Sequence, residues 1–194
     1  MKIKLDIPIS EEAVRQLKVG DQVELNGIMV TARDNGHKLM VEERPDFIRP
    51  YLKEGVIYHC GPVVKKDEQG QWQFVAAGPT TSSREEPYQA TVIGEYTVRG
   101  VIGKGGMKDR TIAGLKEHGA VYFHAVGGLG TLLAQRVTRV KEVFKLEEFG
   151  TPEAFWVIEV KDFPVVVTMD SHGHSIHDQV LTSSQQRLRE LISG

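Results

Sequence analysis

The sequence predicts an α/β protein with mixed sheets and flanking helices, forming one domain over residues 1–194. Short apolar segments typical of buried strands alternate along the chain with longer helical patterns. Hydrophobic residues make up 40% and charged residues 26% of the chain, which is the composition of an ordinary globular protein. The sequence contains no internal repeat, low-complexity linker or block of like charge that would mark a domain boundary. A chain of this size can bury roughly 70% of the surface it exposes when unfolded, which is enough for one core.

The first elements are predicted from capping and turn residues near the N-terminus. Ser10 and the two acids after it are typical of a helix start, and residues 19–21 form the turn that ends this helix. Apolar residues alternate over 22–30 around Asn26-Gly27, a pair suited to a tight turn, so two strands joined as a hairpin are expected. Asp34 can cap a helix that continues to about residue 43.

Glycines and prolines divide the rest of the chain into further strands and helices. Strands are expected at residues 55–60, 72–77, 100–102, 120–123, 155–160 and 165–169. Helices are expected at residues 87–97, 108–118, 127–136 and 179–192. Pro87 suits the first turn of its helix, and Asp67 to Gly70 have the composition of a turn.

Charge and cysteine content exclude several classes of protein. The formal net charge is −2 with acids and bases interspersed, so the positive field that attracts nucleic acid or an acidic membrane is missing. Cys60 is the only cysteine, so the chain can hold neither an internal disulfide nor a metal site built from several thiolates. Neither a signal peptide nor a membrane span is recognisable. The expected location is the cytoplasm.

A hydroxyl-rich loop at residues 78–84 predicts an anion site. Four consecutive hydroxyl side chains lie between Gly78-Pro79 and Arg84, directly after an apolar strand. Hydroxyls and backbone amides can satisfy a carboxylate while a guanidinium holds it in a bidentate fork, and the start of the following helix adds a favourable dipole. The alternative is a surface loop rich in Ser and Thr that caps a helix.

Two further segments carry cations that could join this site. Lys104 lies among Gly103, Gly105 and Gly106, which would let a ligand approach the backbone closely. The segment does not fit a phosphate loop, because the required Ser or Thr after the lysine is absent, and a solvated lysine in a strand-to-helix turn is the alternative. Arg33 follows a predicted strand, where sites are often placed, although an arginine beside an aspartate is more often a surface or capping pair.

Two groups of potential metal ligands or nucleophiles are given structural interpretations. His172, His174 and His177 could face one another on an extended segment, but a hydrophilic turn before the last helix is the more common explanation. No metal site is therefore predicted within this chain. Cys60 follows an apolar strand, which indicates a buried thiol and not a nucleophile.

Several motifs together resemble the beta subunit of class I, iron–sulfur fumarate hydratases and the related L-tartrate dehydratases, over nearly the whole chain. The motifs are Gly78-Pro79-Thr80-Thr81-Ser82-x-Arg84, Pro87-Tyr88, Ile102-Gly103-Lys104-Gly105, Gly127-Gly128, Pro152-Glu153-Ala154 and Phe163-Pro164. Their common order and spacing is far more specific than any one of them.

The resemblance implies a fold, a partner and a reaction. The fold is a beta/beta/alpha swivelling domain, and the partner is an alpha subunit that ligates a 4Fe-4S cluster, in an assembly of two alpha and two beta chains. The reaction is the reversible hydration of fumarate to L-malate, in which the open iron of the cluster acts as a Lewis acid. Because this chain lacks the cysteines, the cluster is expected on the partner and not here.

The resemblance also implies roles for four residues. Thr80 corresponds to the proposed base for the carbon-bound proton, and Arg33, Arg84 and Lys104 correspond to ligands of the substrate carboxylates. Methionine and aspartate often follow the arginine in the family, whereas Glu85 and Glu86 follow it here, which leaves the choice between fumarate and tartrate open.

Two other functions remain as hypotheses from the sequence. The same cationic loops could belong to a dicarboxylate-binding module without catalytic activity. The histidines of residues 172–177 could support metal-dependent hydrolysis.

Overall fold

The computed structural model describes residues 2–192 and confirms the α/β prediction. Within these residues the strands are β1 (Ile3–Ile7), β2 (Gln22–Thr31), β3 (Val56–Tyr58), β4 (Val63–Lys66), β5 (Trp72–Ala76), β6 (Gly100–Gly103), β7 (Val121–His124), β8 (Val137–Phe144) and β9 (Phe155–Met169). The α-helices are α1 (Glu11–Gln16), α2 (Asp34–Glu42), α3 (Arg49–Leu52), α4 (Glu86–Tyr96), α5 (Asp109–His118), α6 (Gly130–Ala134), α7 (Leu146–Phe149) and α8 (Ile176–Ile192). Short 3-10 turns lie at Asp46–Ile48 and Ser82–Arg84.

The main sheet is mixed, and its strand pairing closes on itself. Its order is β1-β2-β3-β6-β7-β9-β8, with an additional pairing between β2 and β9. Strands β2, β3, β6 and β7 run parallel to one another, whereas β9 runs antiparallel to β2, β7 and β8. The four parallel strands therefore direct their carboxyl ends to one edge of the sheet. The two strands β4 and β5 form a separate hairpin outside this sheet.

The hairpin predicted at residues 22–30 is wrong, because β2 is one continuous strand. Asn26-Gly27 forms an irregularity in the pairing with β9 and does not reverse the chain. Gly27 has φ +112°, and a Cβ there would lie 2.6 Å from the Ile7 carbonyl oxygen. The Asn26 side chain accepts a hydrogen bond from the Asp162 amide, so the pair joins β2 to β9. The turn-forming residues thus serve a bulge.

The two strands predicted at residues 155–160 and 165–169 are a single strand, β9. Asp162 adopts a left-handed conformation with φ +49°, and the chain then continues through Pro164 in the same direction. β9 pairs with β2 along one edge, and with β8 and then β7 along the other. Tertiary pairing on both edges keeps this segment extended despite its internal irregularity.

Helix predictions are confirmed in most cases, with differences in length. Ser10 caps α1 by accepting from the Ala13 amide, and Thr97 ends α4 in a left-handed conformation. Asp34 is the first residue of α2, and the capping position belongs to Arg33. The helix predicted at 127–136 is shorter, because the Gly127-Gly128 turn extends to Leu129 before α6 begins. Strands β1, β4 and β8 were not predicted.

Apolar side chains fill both sides of the sheet. One buried cluster contains Trp156, Phe123 and Phe163, and the other contains Phe155, Tyr122 and Leu115. α8 contributes no buried residue. None of the helices in residues 2–192 combines the length and the apolar composition that a membrane crossing requires.

Candidate active site

The candidate site lies where four parallel strands end. Arg33 follows β2, His59 follows β3, Lys104 directly follows β6, and Gly127 lies shortly after β7. In open and closed sheets of parallel strands alike, ligands bind at the carboxyl ends of the strands. Arg33 and Lys104, both predicted from the sequence, therefore lie on loops at the edge of the sheet where such sites form.

The hydroxyl-rich loop is hydrogen-bonded across this edge. The Thr80 amide donates to the His59 carbonyl at 2.7 Å, and the Lys104 amide donates to the Thr80 carbonyl at 3.2 Å. The Ser82 amide donates in turn to the Lys104 carbonyl at 3.1 Å. The backbone of Thr80 is thus fixed from both sides, and the structure brings Thr80 and Lys104 together although they lie 24 positions apart in the sequence.

The reactive groups of Thr80 and Lys104 are unpaired in the part of the chain that the structure describes. The Thr80 hydroxyl and the Lys104 ammonium make no hydrogen bond or ion pair there, and both residues are half-buried. The lysine stem lies over Gly127, where a Cβ would be 3.6 Å from Lys104 Cδ. A hydroxyl and an ammonium held by a rigid backbone are free to bind an added ligand.

The two predicted arginines are held by acids of the same chain. Arg33 Nη1 lies 3.2 Å from Glu153 Oε1, and Arg84 Nη1 lies 3.6 Å from Asp34 Oδ2. Because Asp34 follows Arg33 directly, this second ion pair brings the two arginine segments together. The side chain of Arg84 is 61% exposed, whereas that of Arg33 is 20% exposed and lies against Gly61.

Ser82, one of the four hydroxyls of the predicted anion loop, points into the protein and is not available to a ligand. This residue is fully buried, and its Oγ lies 2.8 Å from His59 Nδ1 and 2.8 Å from the Tyr122 hydroxyl. A Cβ on Gly103 would overlap Ser82 Oγ. The absence of a side chain at Gly103 therefore makes room for the Ser82 side chain and not for a ligand. Thr81 and Ser83, by contrast, are exposed.

A buried polar chain continues from Ser82 to α2. The Gln89 side-chain amide, through the atom placed as Oε1, lies 2.7 Å from His59 Nε2 and 3.0 Å from His37 Nε2. Burial lowers the pKa of His37 to about 4 and the pKa of His59 well below its usual value, so both rings are neutral. The His37 side chain is fully buried, so it belongs to this polar chain and does not face a ligand.

The proton positions in this chain follow from its acceptors. His37 Nδ1 faces the Arg33 carbonyl at 3.0 Å and must donate, which leaves its Nε2 as an acceptor. If the oxygen and nitrogen of the Gln89 side-chain amide are exchanged, its NH₂ group donates to the Nε2 atoms of both His37 and His59. The Gln89 nitrogen, which otherwise has no partner, is then hydrogen-bonded. His59 then donates from Nδ1 to Ser82 Oγ, which fixes the loop that carries Thr80.

Sequence reasoning missed His59, Gln89, Tyr122 and the buried carboxyl of Glu85. His59 follows β3, Gln89 is on α4 and Tyr122 is on β7, while Glu85 directly precedes α4. No single local spacing therefore links the four residues. The only available signal was the departure from the family pattern at Glu85, which places an acid directly after the predicted anion ligand.

His172 and His174 lie in a turn, as predicted, whereas His177 lies in the first turn of α8. Asp170 Oδ1 accepts from the amides of His172 and His174, and His177 Nε2 lies 3.1 Å from Thr168 Oγ1. Across residues 2–192, no three His, Cys, Asp or Glu side chains are grouped so as to hold a metal ion.

The prediction of a buried thiol is confirmed. Cys60 is fully buried, and burial raises its pKa to about 12. A thiol with this pKa is a poor nucleophile and a poor metal ligand near neutral pH.

Comparison with known proteins gives one family and several relatives. The family described as Fumarase C-terminus matches residues 1–180. A protein of Geobacillus stearothermophilus, provisionally named class I fumarate hydratase, is 50% identical over 97% of this chain, which spans only 36% of that relative. A protein of Methanocaldococcus jannaschii, provisionally named L(+)-tartrate dehydratase subunit beta, is 42% identical over 95% of both chains. The L(+)-tartrate dehydratase subunit beta of Escherichia coli is 38% identical over 91% of this chain and 87% of its own.

Proposed function

The chain belongs to the fumarase C-terminus family, and from that membership we propose that it is the beta subunit of a two-chain hydro-lyase that reversibly hydrates fumarate to L-malate. The observation that carries the proposal is the contact between Thr80 and Lys104 at the carboxyl ends of parallel strands, where their hydroxyl and ammonium groups have no partner among residues 2–192. The Geobacillus relative is named as a fumarate hydratase, and this name favours fumarate as the substrate.

Three cations would hold the two carboxylates of the substrate. Arg33 and Arg84 can each bind a carboxylate in a bidentate fork, and Lys104 adds a compact positive charge. The ion pair between Arg84 and Asp34 is long and largely exposed to solvent, so it is weak and leaves the guanidinium able to bind a substrate carboxylate as well. The pair between Arg33 and Glu153 is shorter and more buried, which suits a more rigid anchor.

Thr80 would exchange the carbon-bound proton. A hydroxyl is a weak base at its usual acidity, so the role requires a nearby positive charge that stabilises the alkoxide. The ammonium of Lys104, on the residue hydrogen-bonded to Thr80, can supply that charge. Because the Thr80 backbone is fixed by two hydrogen bonds, little reorganisation is needed when substrate arrives.

The iron–sulfur cluster implied by the family resemblance does not fit the donor set of this chain. Cys60 is a single, buried thiol with a raised pKa, and residues 2–192 offer no alternative cluster of ligands. We therefore place the 4Fe-4S cluster on an alpha subunit, in an assembly of two alpha and two beta chains in the cytoplasm. The chain, as one domain over residues 1–194, would then contribute half of the site.

L-tartrate is the second candidate substrate. Two relatives named as tartrate dehydratase beta subunits match this chain over nearly their whole length. Comparing kcat/KM for fumarate and L-tartrate in one preparation discriminates between the two substrates. A preference for tartrate would correct the substrate and leave the proposed subunit role unchanged.

The proposal is tested by anaerobic co-expression with the partner chain while the fumarate absorbance is followed. We expect turnover from the complex, none from this chain alone, and loss of turnover in an Arg84→Ala complex that still assembles. Arg110→Ala, an exposed arginine on α5, is the matched control and should remain active. Full activity from the lone chain without iron or partner would refute the two-chain site.

The same variants test the alternative of a binding module without catalytic activity. That alternative predicts dicarboxylate affinity in the lone chain and no turnover by the complex. Loss of turnover on Arg84→Ala substitution, with assembly intact, would exclude it.

A further inference from the structure

Unpaired buried polar atoms are concentrated beneath the candidate site. Among the described residues, Arg33 Nε, Asp34 Oδ1 and both carboxyl oxygens of Glu85 are buried without a hydrogen-bond partner. Such atoms are rare in folded proteins, and each costs free energy unless a proton or a ligand satisfies it. Their position beside the two predicted substrate arginines indicates a role at the site.

Glu85 is the most unusual member of this group. Its side chain has no exposure to solvent, and it directly follows Arg84 in the chain. Burial, together with the neighbouring Asp34 carboxyl, raises the pKa of Glu85 to about 8. The Asp34 side chain is 40% exposed, so the negative charge is better solvated on Asp34 and the proton belongs on Glu85.

We propose that Glu85 is a positioning residue: as a neutral acid it donates a hydrogen bond to Asp34, and so holds the Asp34 carboxylate in place against Arg84. A hydrogen bond between the two side chains is among the causes that raise the pKa of Glu85, and both Glu85 oxygens and Asp34 Oδ1 have no other partner among the described residues. The donated proton satisfies one oxygen of Glu85 and the unpaired Asp34 Oδ1 together. This inference rests on the proposed function, because Arg84 is its assumed substrate ligand.

The surroundings of Glu85 leave Asp34 as the acceptor of this proton. The groups that face Glu85 are Arg33 and Asp34 at the start of α2, His59 after β3 and Tyr122 on β7. His59 Nδ1 is 3.9 Å away, too far for a good hydrogen bond, and it is already engaged with Ser82. The pKa of the Tyr122 hydroxyl is raised by its burial, so Tyr122 stays neutral.

A pH-dependent affinity for the dicarboxylate follows. Below the pKa of Glu85, the acid pair carries one negative charge, which Arg84 offsets. As the pH rises through about 8, Glu85 ionises and places a second negative charge behind the same arginine. We expect KM for fumarate to rise by roughly tenfold between about pH 7 and about pH 9, with a smaller change in kcat, because a doubly negative pair competes with the substrate for Arg84.

Two substitutions distinguish the effect of the Glu85 proton on KM from the effect of the side-chain volume. Glu85→Gln keeps a neutral hydrogen-bond donor at every pH, so its KM should stay flat where the KM of the unmodified complex rises. Glu85→Met has a similar size without a donor, so its KM should be raised and flat at every pH. Glu68→Gln, at an exposed turn, is the control and should keep the rise. An alkaline rise in KM that persists in Glu85→Gln would overturn the proposal.

Infrared spectroscopy of the unmodified chain tests the protonated state without relying on a variant that might fail to fold. We expect the carbonyl band of one protonated carboxyl group at about pH 7, lost by about pH 9. Absence of this band at neutral pH would overturn the proposal. Because the lone chain gives this result, it stands apart from the proposed hydration: an inactive complex with the band present would refute the hydration and not the protonation of Glu85.

Discussion

The Ser82→Ala substitution tests whether the buried polar chain holds the loop that carries Thr80. The hydroxyl of Ser82 connects His59 Nδ1 and the Tyr122 hydroxyl, each at 2.8 Å, in a region without solvent. Removing it leaves His59 Nδ1 unpaired and takes one partner from the Tyr122 hydroxyl, and each such buried loss costs about 1–3 kcal/mol. Some relaxation is expected, so the free energy of unfolding should fall by about 2–4 kcal/mol.

The assay is urea unfolding followed by tryptophan fluorescence, since Trp156 is fully buried. Ser83→Ala is the matched control, because Ser83 is the exposed neighbour and its loss should change stability by no more than about 0.5 kcal/mol. Adding Tyr122→Phe to Ser82→Ala removes the Tyr122 hydroxyl that Ser82 contacted. The free energy of unfolding of the double variant should therefore fall by less than the sum of the two single decreases. Equal stability of Ser82→Ala and Ser83→Ala would refute the reasoning.

Three further predictions concern the fold. Gly27→Ala should lower the free energy of unfolding by about 2–4 kcal/mol, because Gly27 has φ +112° and a Cβ would collide with the Ile7 carbonyl. The control is Gly70→Ala, at φ +75° in open space, which should lower it by about 1 kcal/mol in the same urea assay. Equal losses in the two variants would contradict the bulge. Cys60, with its pKa raised to about 12, should resist alkylation by iodoacetamide until urea unfolds the chain, and rapid native labelling would contradict its burial. His37 has a folded pKa of about 4, below its unfolded value of 6.5, so it binds its proton more readily in the unfolded chain. About 3 kcal/mol of stability should therefore be lost as the pH falls from about 6.5 to about 4. The His37→Gln variant should lose correspondingly less stability over the same pH range.

The sequence predicted the elements whose signals are local. Ser10 predicted the start of α1, Pro87 the start of α4, and the glycines around Lys104 the turn between β6 and α5. It failed where distant pairing decides the conformation. Asn26-Gly27 has the composition of a hairpin turn, but β9 pairs across it and the strand continues as a bulge.

The candidate site shows the same division between local and distant information. The motif at residues 78–84 and Lys104 identified two loops, and the structure joins these loops by hydrogen bonds. The inward direction of Ser82 could not be predicted, because it depends on His59 and Tyr122 from other strands. The acid pair of Asp34 and Glu85 was missed for the same reason, since its members lie 51 positions apart in the sequence.

The central claim is that loops from separate strands bind one dicarboxylate together. The most direct measurement is a structure of the reconstituted complex with bound malate. We predict that Arg33, Arg84 and Lys104 contact the same malate molecule and that the Thr80 hydroxyl faces the carbon that loses its proton. Malate bound at a place where none of these four side chains reaches it would contradict the account.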